Sequence, residues 1–437
     1  MVLAVLWLSG KPRPIPDLRL SAPVVARPGD TIGLRSWQLD EDDLGRVSVL
    51  APSVRIELRD DAGQVRAETT LARSRVEGRE GRLEVPAALD GKYTLVALAE
   101  IDGREVEVDR ALYVRESIDS KLEAGRTINA FQAYTLEPLQ RLDKERAPSV
   151  LDPRIEEGAC TPDLPCTLVV WVGDWEGLLQ ARPLTGARID ADRVRTQGGF
   201  ARFPVTVTGP EARVAIHAVD AAGSVLAERN VRLPLVPGGM TASAETRGDD
   251  VELEWQSLGD AGPVLVDVFD EHRWVDALSL SPREPGIRGF SPGVWRLQVR
   301  RDLFSGNTGA VAFVVIPDEA PAASMAADFV LSMAHEEGLD PLAMSVVGGE
   351  FVGDPDAAVA ALLAIPSFDV VELGNGVSAR IDVDESTAEV QESRRIRAAV
   401  LILIVGVFVS LVLWRLEVLA QERANRVLES LASGDAT

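Results

Sequence analysis

Residues 398–414, AAVLILIVGVFVSLVLW, form a run of 17 residues without a charge, closed on either side by Arg397 and Arg415. At about 1.5 Å per residue a helix of that length reaches roughly 25 Å, which crosses a bilayer at the short end of the usual range, and the flanking arginines can snorkel to the headgroups. Trp414 stands where an interfacial aromatic belongs. A buried core helix is the alternative, but the polar tail at 415–437 is too small to cover one. Orientation is not encoded in the flanks: Arg394, Arg395 and Arg397 precede the run and Arg415, Arg423 and Arg426 follow it, so the positive-inside count is even. At the other end, residues 1–16 comprise an apolar MVLAVLWLSG, which lacks the basic n-region of a signal peptide, and a stiff KPRPIP spacer. The apolar stretch reads as the remnant of a signal or anchor, or as a first strand.

The remaining chain is too long for one core, since cores stop growing at roughly 250–300 residues. Its composition, 46% apolar and 26% charged, is that of a folded protein. A net charge of −23 repels a phosphate backbone, so no nucleic-acid partner is expected. Lysine is confined to Lys11, Lys92, Lys121 and Lys144, an arginine-over-lysine skew typical of a GC-rich bacterial genome.

Short alternating segments with turn signals between them read as tandem antiparallel β-sandwiches. In the first, at 17–115, SVRIELR (53–59) alternates with period two, DDAG (60–63) turns, and 64–70 returns; GKYTLVA (91–97) and 105–114 make a later pair. The run ARPGDTIGLRSW (26–37), the strand and turn at 54–63 and LDGKYTLV (89–96) resemble the second macroglobulin-type domain of bacterial α-2-macroglobulins. The resemblance covers about a quarter of the chain and implies a seven-stranded sandwich exported to the cell envelope. It does not extend to protease trapping: the family's thioester needs Cys-x-Glu-Gln, and neither Cys160 nor Cys166 is followed by it.

An internal echo points to a second sandwich, at 166–236. Asp60-x-Ala62-Gly63-x-Val65-x-Ala67-Glu68 recurs as Asp220-x-Ala222-Gly223-x-Val225-x-Ala227-Glu228, because Gly supplies a positive φ and Asp bonds back to the turn. A third sandwich is expected at 237–318, where Gly293-x-Trp295-x-Leu297 repeats Gly91-x-Tyr93-x-Leu95 with its aromatic toward the core. Residues 116–165 read as a linker with some helix, holding Cys160 and Cys166. With five residues between them, the cysteines are either a small disulfide loop, suited to an oxidising compartment, or two unrelated buried or free thiols.

Residues 319–392 change period and read as a small α+β juxtamembrane element that serves as a stalk or docking piece. A helix over 326–337 is stopped by Gly338 and Pro341, another starts at Asp354-Pro355, and a hairpin of 368–373 with 377–383 closes on Gly374-Asn-Gly376. Beyond the membrane run, 415–437 reads as a short tail helix with a stripe at Leu416, Leu419, Val427 and Leu431.

Catalytic patterns fail on inspection, so no catalytic, cofactor or metal residue is assigned. Gly289-Phe-Ser291-Pro-Gly293 has the form of a nucleophile elbow, but Pro292 lacks the N–H its oxyanion hole needs, and the context is turn into strand. His335-Glu336 has Leu339 where a zinc-protease helix needs its second histidine, and Gly348-Gly349 and Gly353 lack the lysine of a phosphate loop. The carboxylates at 40–43 and 382–385 lack the register of a calcium loop. The expectation is a single-pass, membrane-anchored, non-catalytic envelope protein with its body periplasmic or extracellular, binding proteins through its sandwiches, with no small-molecule substrate. An accessory subunit of an inner-membrane complex and a protease-inhibitor-related macroglobulin fragment are the alternatives.

Overall fold

The alternation at 53–59 becomes a strand, Val54–Arg59, in which Val54, Ile56 and Leu58 are fully buried. In the computed structural model the described residues are 17–42, 45–49, 53–101, 103–116, 126–128, 135–236, 239–259, 262–270, 273–303, 308–316, 321–333, 339–368, 370–372, 377–378, 400, 404–426 and 428. At the end of Val54–Arg59, Asp60 Oδ1 accepts the backbone N–H groups of Ala62 and Gln64, both at 2.9 Å, and Gly63 takes φ 76°. The repeated turn is built the same way: Asp220 Oδ1 accepts from Ala222 at 2.9 Å and Ser224 at 2.8 Å, and Gly223 has φ 85°. Each hairpin also carries a one-residue register shift just before its turn, between Leu58 and Arg59 and between Ala218 and Val219. The echo in sequence is therefore an echo in hydrogen bonding.

The chain is mainly β. In the first sandwich, Asp17–Ser21, Thr31–Asp42, Gly45–Val49 and Arg79–Glu84 face Val54–Arg59, Gly91–Ile101, Arg104–Val114 and Val25–Ala26, and Val65–Arg73 hydrogen-bonds to both sheets. The second takes in residues expected to be linker. Thr135–Leu136 and Gln140–Arg141 pair with Val225–Arg232, and Asp152–Ile155 pairs with Pro165–Trp171. No α-helix occurs among the described residues 126–165, because this segment adds edge strands to a neighbouring sheet. The third packs Met240–Arg247 and Asp250–Ser257 against Arg273–Leu280, Val264–Asp270, Gly293–Arg300 and Thr308–Val315. Leu95 and Leu297 are fully buried, whereas Tyr93 and Trp295 are half-buried at the rim, with the Trp295 Nε1–H donating to the Ser291 carbonyl at 2.8 Å. The leucine, not the aromatic, is the core anchor of each Gly-x-aromatic-x-Leu strand.

The expected stalk is part of the body. Three helices, α1 (Ala322–Met333), α2 (Pro341–Val347) and α3 (Pro355–Phe368), form an apolar wedge that meets Val169, Trp171 and Phe200 of the second sandwich and Val294 and Val314 of the third. Alanines 326, 327, 357, 358 and 361, all essentially buried, let these backbones approach closely. Asp354 caps α3 as expected, accepting from the N–H groups of Asp356 and Ala357. Pro341, read as a stop, is instead an N-terminal residue of α2, whose cap Asp340 accepts from Ala343 N–H at 3.0 Å. Asp340 also pairs with buried Arg154, which bonds Asp152 at 2.6 Å and the Ala361 carbonyl at 3.0 Å. Burial opposes the charge on Arg154, and the two carboxylates more than offset it, holding the guanidinium above its ordinary range.

The expected hairpin at 368–383 does not form across the described residues. Val370–Glu372 pairs with Arg126–Ile128, and Val377–Ser378 pairs with Arg19 and Leu20 of the first strand. Both segments carry strand propensity, but open edges elsewhere in the body take them as partners. Residues 17–378 thus lie within one compact unit. The other unit contains α4, Ile404–Arg426, whose 23 residues are long and apolar enough to cross a membrane, with Trp414 and Arg415 inside it. Arg394, Arg395 and Arg397 lie outside the described residues, as do His335, Glu336 and residues 382–385.

Cys160 and Cys166 are disulfide-bonded, with Cα atoms 5.5 Å apart. Cys160 also holds the strand-to-linker crossing: its N–H donates to the Pro234 carbonyl at 2.9 Å and its carbonyl accepts from Val236 N–H at 3.0 Å. A loop this small restricts the unfolded chain by about 2 kcal/mol. Replacing both cysteines with alanine is expected to lower the unfolding free energy by about that amount, measured by urea titration. Wild type in reductant should fall to the same midpoint.

Candidate functional site

A tightly fitted seam runs where Thr31–Asp42 and Arg79–Glu84 of the first sandwich lie against Arg273–Leu280 of the third. Gly33 makes it possible: a Cβ there would stand 2.6 Å from the indole nitrogen of Trp274. That indole is 5% exposed and donates to the Asp276 carbonyl at 2.8 Å.

Beside this contact the seam is ionic. Arg35 Nη1 donates to Asp267 Oδ1 at 2.6 Å, with 2% and 0% of the two side chains exposed. Asp267 Oδ2 lies 3.3 Å from Arg300 Nε, and Glu80 lies 3.7 Å from Arg35. Farther out, Arg273 bridges Asp30, at 2.7 Å, and Asp270; Arg75 reaches the hydroxyls of Ser279 and Ser281 and the Glu284 carboxylate; Arg82 faces Asp276 at 3.7 Å. Burial pushes the Glu80 carboxyl up, with Arg35 and the hydroxyls of Ser279 and Ser74 pulling the other way. Burial likewise raises Asp276, against Arg82.

A cleft of about 250 Å³ opens at the rim of this seam, lined by Asp30, Arg82, Asp270, Arg273, Arg288 and Trp295 among others. Its wall includes Gly289 and Phe290 of the Gly289–Gly293 segment, with Phe290 edge-on to Trp295 at 5.0 Å. Ser291 is exposed, and a strand, Gly293–Arg300, follows it where a nucleophile elbow needs a helix. Acids and bases in the cleft are matched three to three and mostly paired with each other, an arrangement that supports docking better than proton transfer. Among the described residues no group of three or more His, Cys, Asp or Glu is placed to hold a metal ion, and Asp40 to Asp42 run along a strand.

None of the seam residues was singled out from sequence. A signal was present: Asp267 is the only charge inside VLVDVF (264–269), and a lone charge in an apolar strand needs a buried partner. What that run does not reveal is that the partner lies 232 residues away.

No protein-family model and no curated protein matches this sequence. Among solved structures, the chain is similar to a Salmonella alpha-2-macroglobulin variant at 12% identity and TM-score 0.19, over 68% of this chain and 23% of that one. It is similar to fibronectin(III)-like modules of Clostridium thermocellum CbhA at 12% identity and TM-score 0.15, over 50% and 94% of the two chains. An I-band fragment of titin matches at 11% identity and TM-score 0.15, over 69% and 98%. The chain spans about a quarter of the length of the macroglobulin. The described residues are mainly β, in antiparallel sheets packed as sandwiches, with one helix among them, Ile404–Arg426, long and apolar enough to cross a membrane.

Two outcomes test the seam. Asp267→Ala strands Arg35 in a buried site and is expected to cost about 3–5 kcal/mol in unfolding free energy, read from denaturant titration. Because the Glu80 pKa is raised on folding, its contribution is fully present below the ordinary value of 4.5 and is lost as pH rises through the raised value. Glu80→Gln should therefore gain on wild type as pH rises from 4 to 8, in midpoints measured across that range.

Proposed function

We propose that this chain is a membrane-anchored, non-catalytic protein of the cell envelope that presents its β-sandwiches to protein partners from a fixed frame. The observation that carries the reading is the closure of the body. The first sandwich docks on the third through the Arg35–Asp267 pair, helices fill the angle between the second and third, and the segment leading toward α4 returns to pair with the first strand. A frame closed in this way presents loops and edges in a constant geometry, which supports recognition better than a flexible string of domains does. The buried disulfide supports an oxidising compartment, hence a body outside the cytoplasm.

A second reading, an accessory subunit of a membrane complex, is favoured by one feature. The helix α4 continues beyond its apolar run to Arg426 and exposes Leu416 and Leu419, as a surface for another helix would.

Both native cysteines are bonded and buried, so a single new thiol reports topology. Val65→Cys places one on an exposed strand of the first sandwich. A membrane-impermeant maleimide is expected to label it in intact spheroplasts. Labelling only after lysis would put the body in the cytoplasm and remove the envelope reading.

A further inference from the structure

A second cleft, also of about 250 Å³, lies where the second sandwich meets the third, and its chemistry differs from that of the seam cleft. Its walls carry Glu157 and Thr167 from one sandwich and Thr241, Ser243, Glu254 and Trp255 from the other. No arginine, lysine or histidine lines it. Charges in the seam cleft neutralise one another; here two carboxylates face a cavity that offers them no counter-charge.

Each wall is held in place. The backbone N–H of Thr167 donates to both Glu157 oxygens, at 3.1 and 2.9 Å, which fixes that carboxylate at the start of the strand that begins beside Cys166. Burial nevertheless pushes the Glu157 carboxyl up, with the Thr167 bonds pulling it down and the adjacent Glu156 charge adding to the rise. Across the cleft, the Trp255 Nε1–H donates to the Gly262 carbonyl at 3.3 Å, and the half-buried indole packs against the core of the third sandwich while also lining the cleft. Glu254 is exposed on the same strand. The disulfide-held crossing at Cys160 and residues 234–236 ties the two sandwiches together beside the cleft.

Two carboxylates, hydroxyl acceptors and an aromatic face, with no base among them, complement a guanidinium: it donates charge-assisted hydrogen bonds from its edge and stacks by its face. We infer that this cleft is a recognition pocket for an arginine side chain presented by a loop of a partner protein. The inference rests on the protein-display reading and names the partner chemistry at one site. Clefts at domain junctions are where such sites commonly form.

The test uses the full chain in detergent and an acetylated, amidated Gly-Arg-Gly-Arg-Gly peptide, with its citrulline analogue as the uncharged control, titrated by calorimetry at low salt. Wild type is expected to bind the arginine peptide at least tenfold more tightly than the citrulline peptide. Glu157→Gln and Glu254→Gln should each weaken binding about tenfold, and Trp255→Leu should do the same. Glu100→Gln with Glu105→Gln, a facing acidic pair on the first sandwich, should leave binding unchanged. The glutamine variants conserve shape and are required to keep the wild-type unfolding midpoint, so the result stands even where Trp255→Leu fails to fold. Equal affinity for both peptides, retention of binding in Glu157→Gln and Glu254→Gln, or equal loss in the Glu100/Glu105 control each overturns the inference. Those results leave the display reading standing, because that reading fails only through the labelling of Val65→Cys.

Discussion

The Arg35–Asp267 pair sets the frame on which the rest of the body is arranged. Both groups have lost their water, and a desolvated pair repays that cost only when its remaining donors and acceptors are also met. Arg35 reaches the Val266 carbonyl and lies 3.7 Å from Glu80, and Asp267 lies 3.3 Å from Arg300, but Arg35 Nε and Asp267 Oδ2 make no hydrogen bond, so the docked position repays the desolvation only in part. A one-residue slip along Thr31–Asp42 would turn Arg35 to the opposite face and take from buried Asp267 its 2.6 Å partner, leaving only Arg300 beside it. The contribution of the pair is accordingly specificity of docking more than net stability.

The other junctions work by different physics. The wedge between the second and third sandwiches is apolar, built from alanine-rich helices whose small side chains admit close backbone approach, and its polar element, Arg154, is matched by two carboxylates and a carbonyl. Burial at roughly 25 cal/mol per Å² makes such a contact strongly stabilising and tolerant of small shifts. The linker by Cys160 is tied covalently instead. One junction chooses a geometry, one supplies most of the cohesion, and one restrains the chain between them. The two clefts are what remains open at the ends of these contacts.

Local chemistry was legible in the chain and distant pairing was not. The Asp-x-Ala-Gly echo announced two hairpins because a side chain bonding its own turn needs nothing from elsewhere, and Asp354-Pro355 announced a helix start for the same reason. Asp340-Pro341 carries an equivalent start signal, but a proline ends one helix as readily as it opens the next, so the dipeptide alone does not say which. Strand propensity at 370–372 and 377–378 matches the strands there while the expected pairing does not, since sequence does not say which edge is open. The seam shows the same limit at a site: Gly33 looked like an ordinary strand glycine until Trp274 arrived over it from another domain. The acid-lined cleft beside Cys166 was invisible for the same reason, its two carboxylates coming from different sandwiches.

The separation of 232 residues between Arg35 and Asp267 also has a temporal meaning. At a synthesis rate of about 5–20 residues per second, the last strand of the first sandwich, Arg104–Val114, is made on the order of 8–30 s before the counter-ion emerges. In that interval Arg35 stands on a face that the third sandwich has yet to cover, and a hydrated charge there disfavours association with another chain. The charge that later locks the frame thus begins as the feature that keeps an unfinished chain apart from its neighbours.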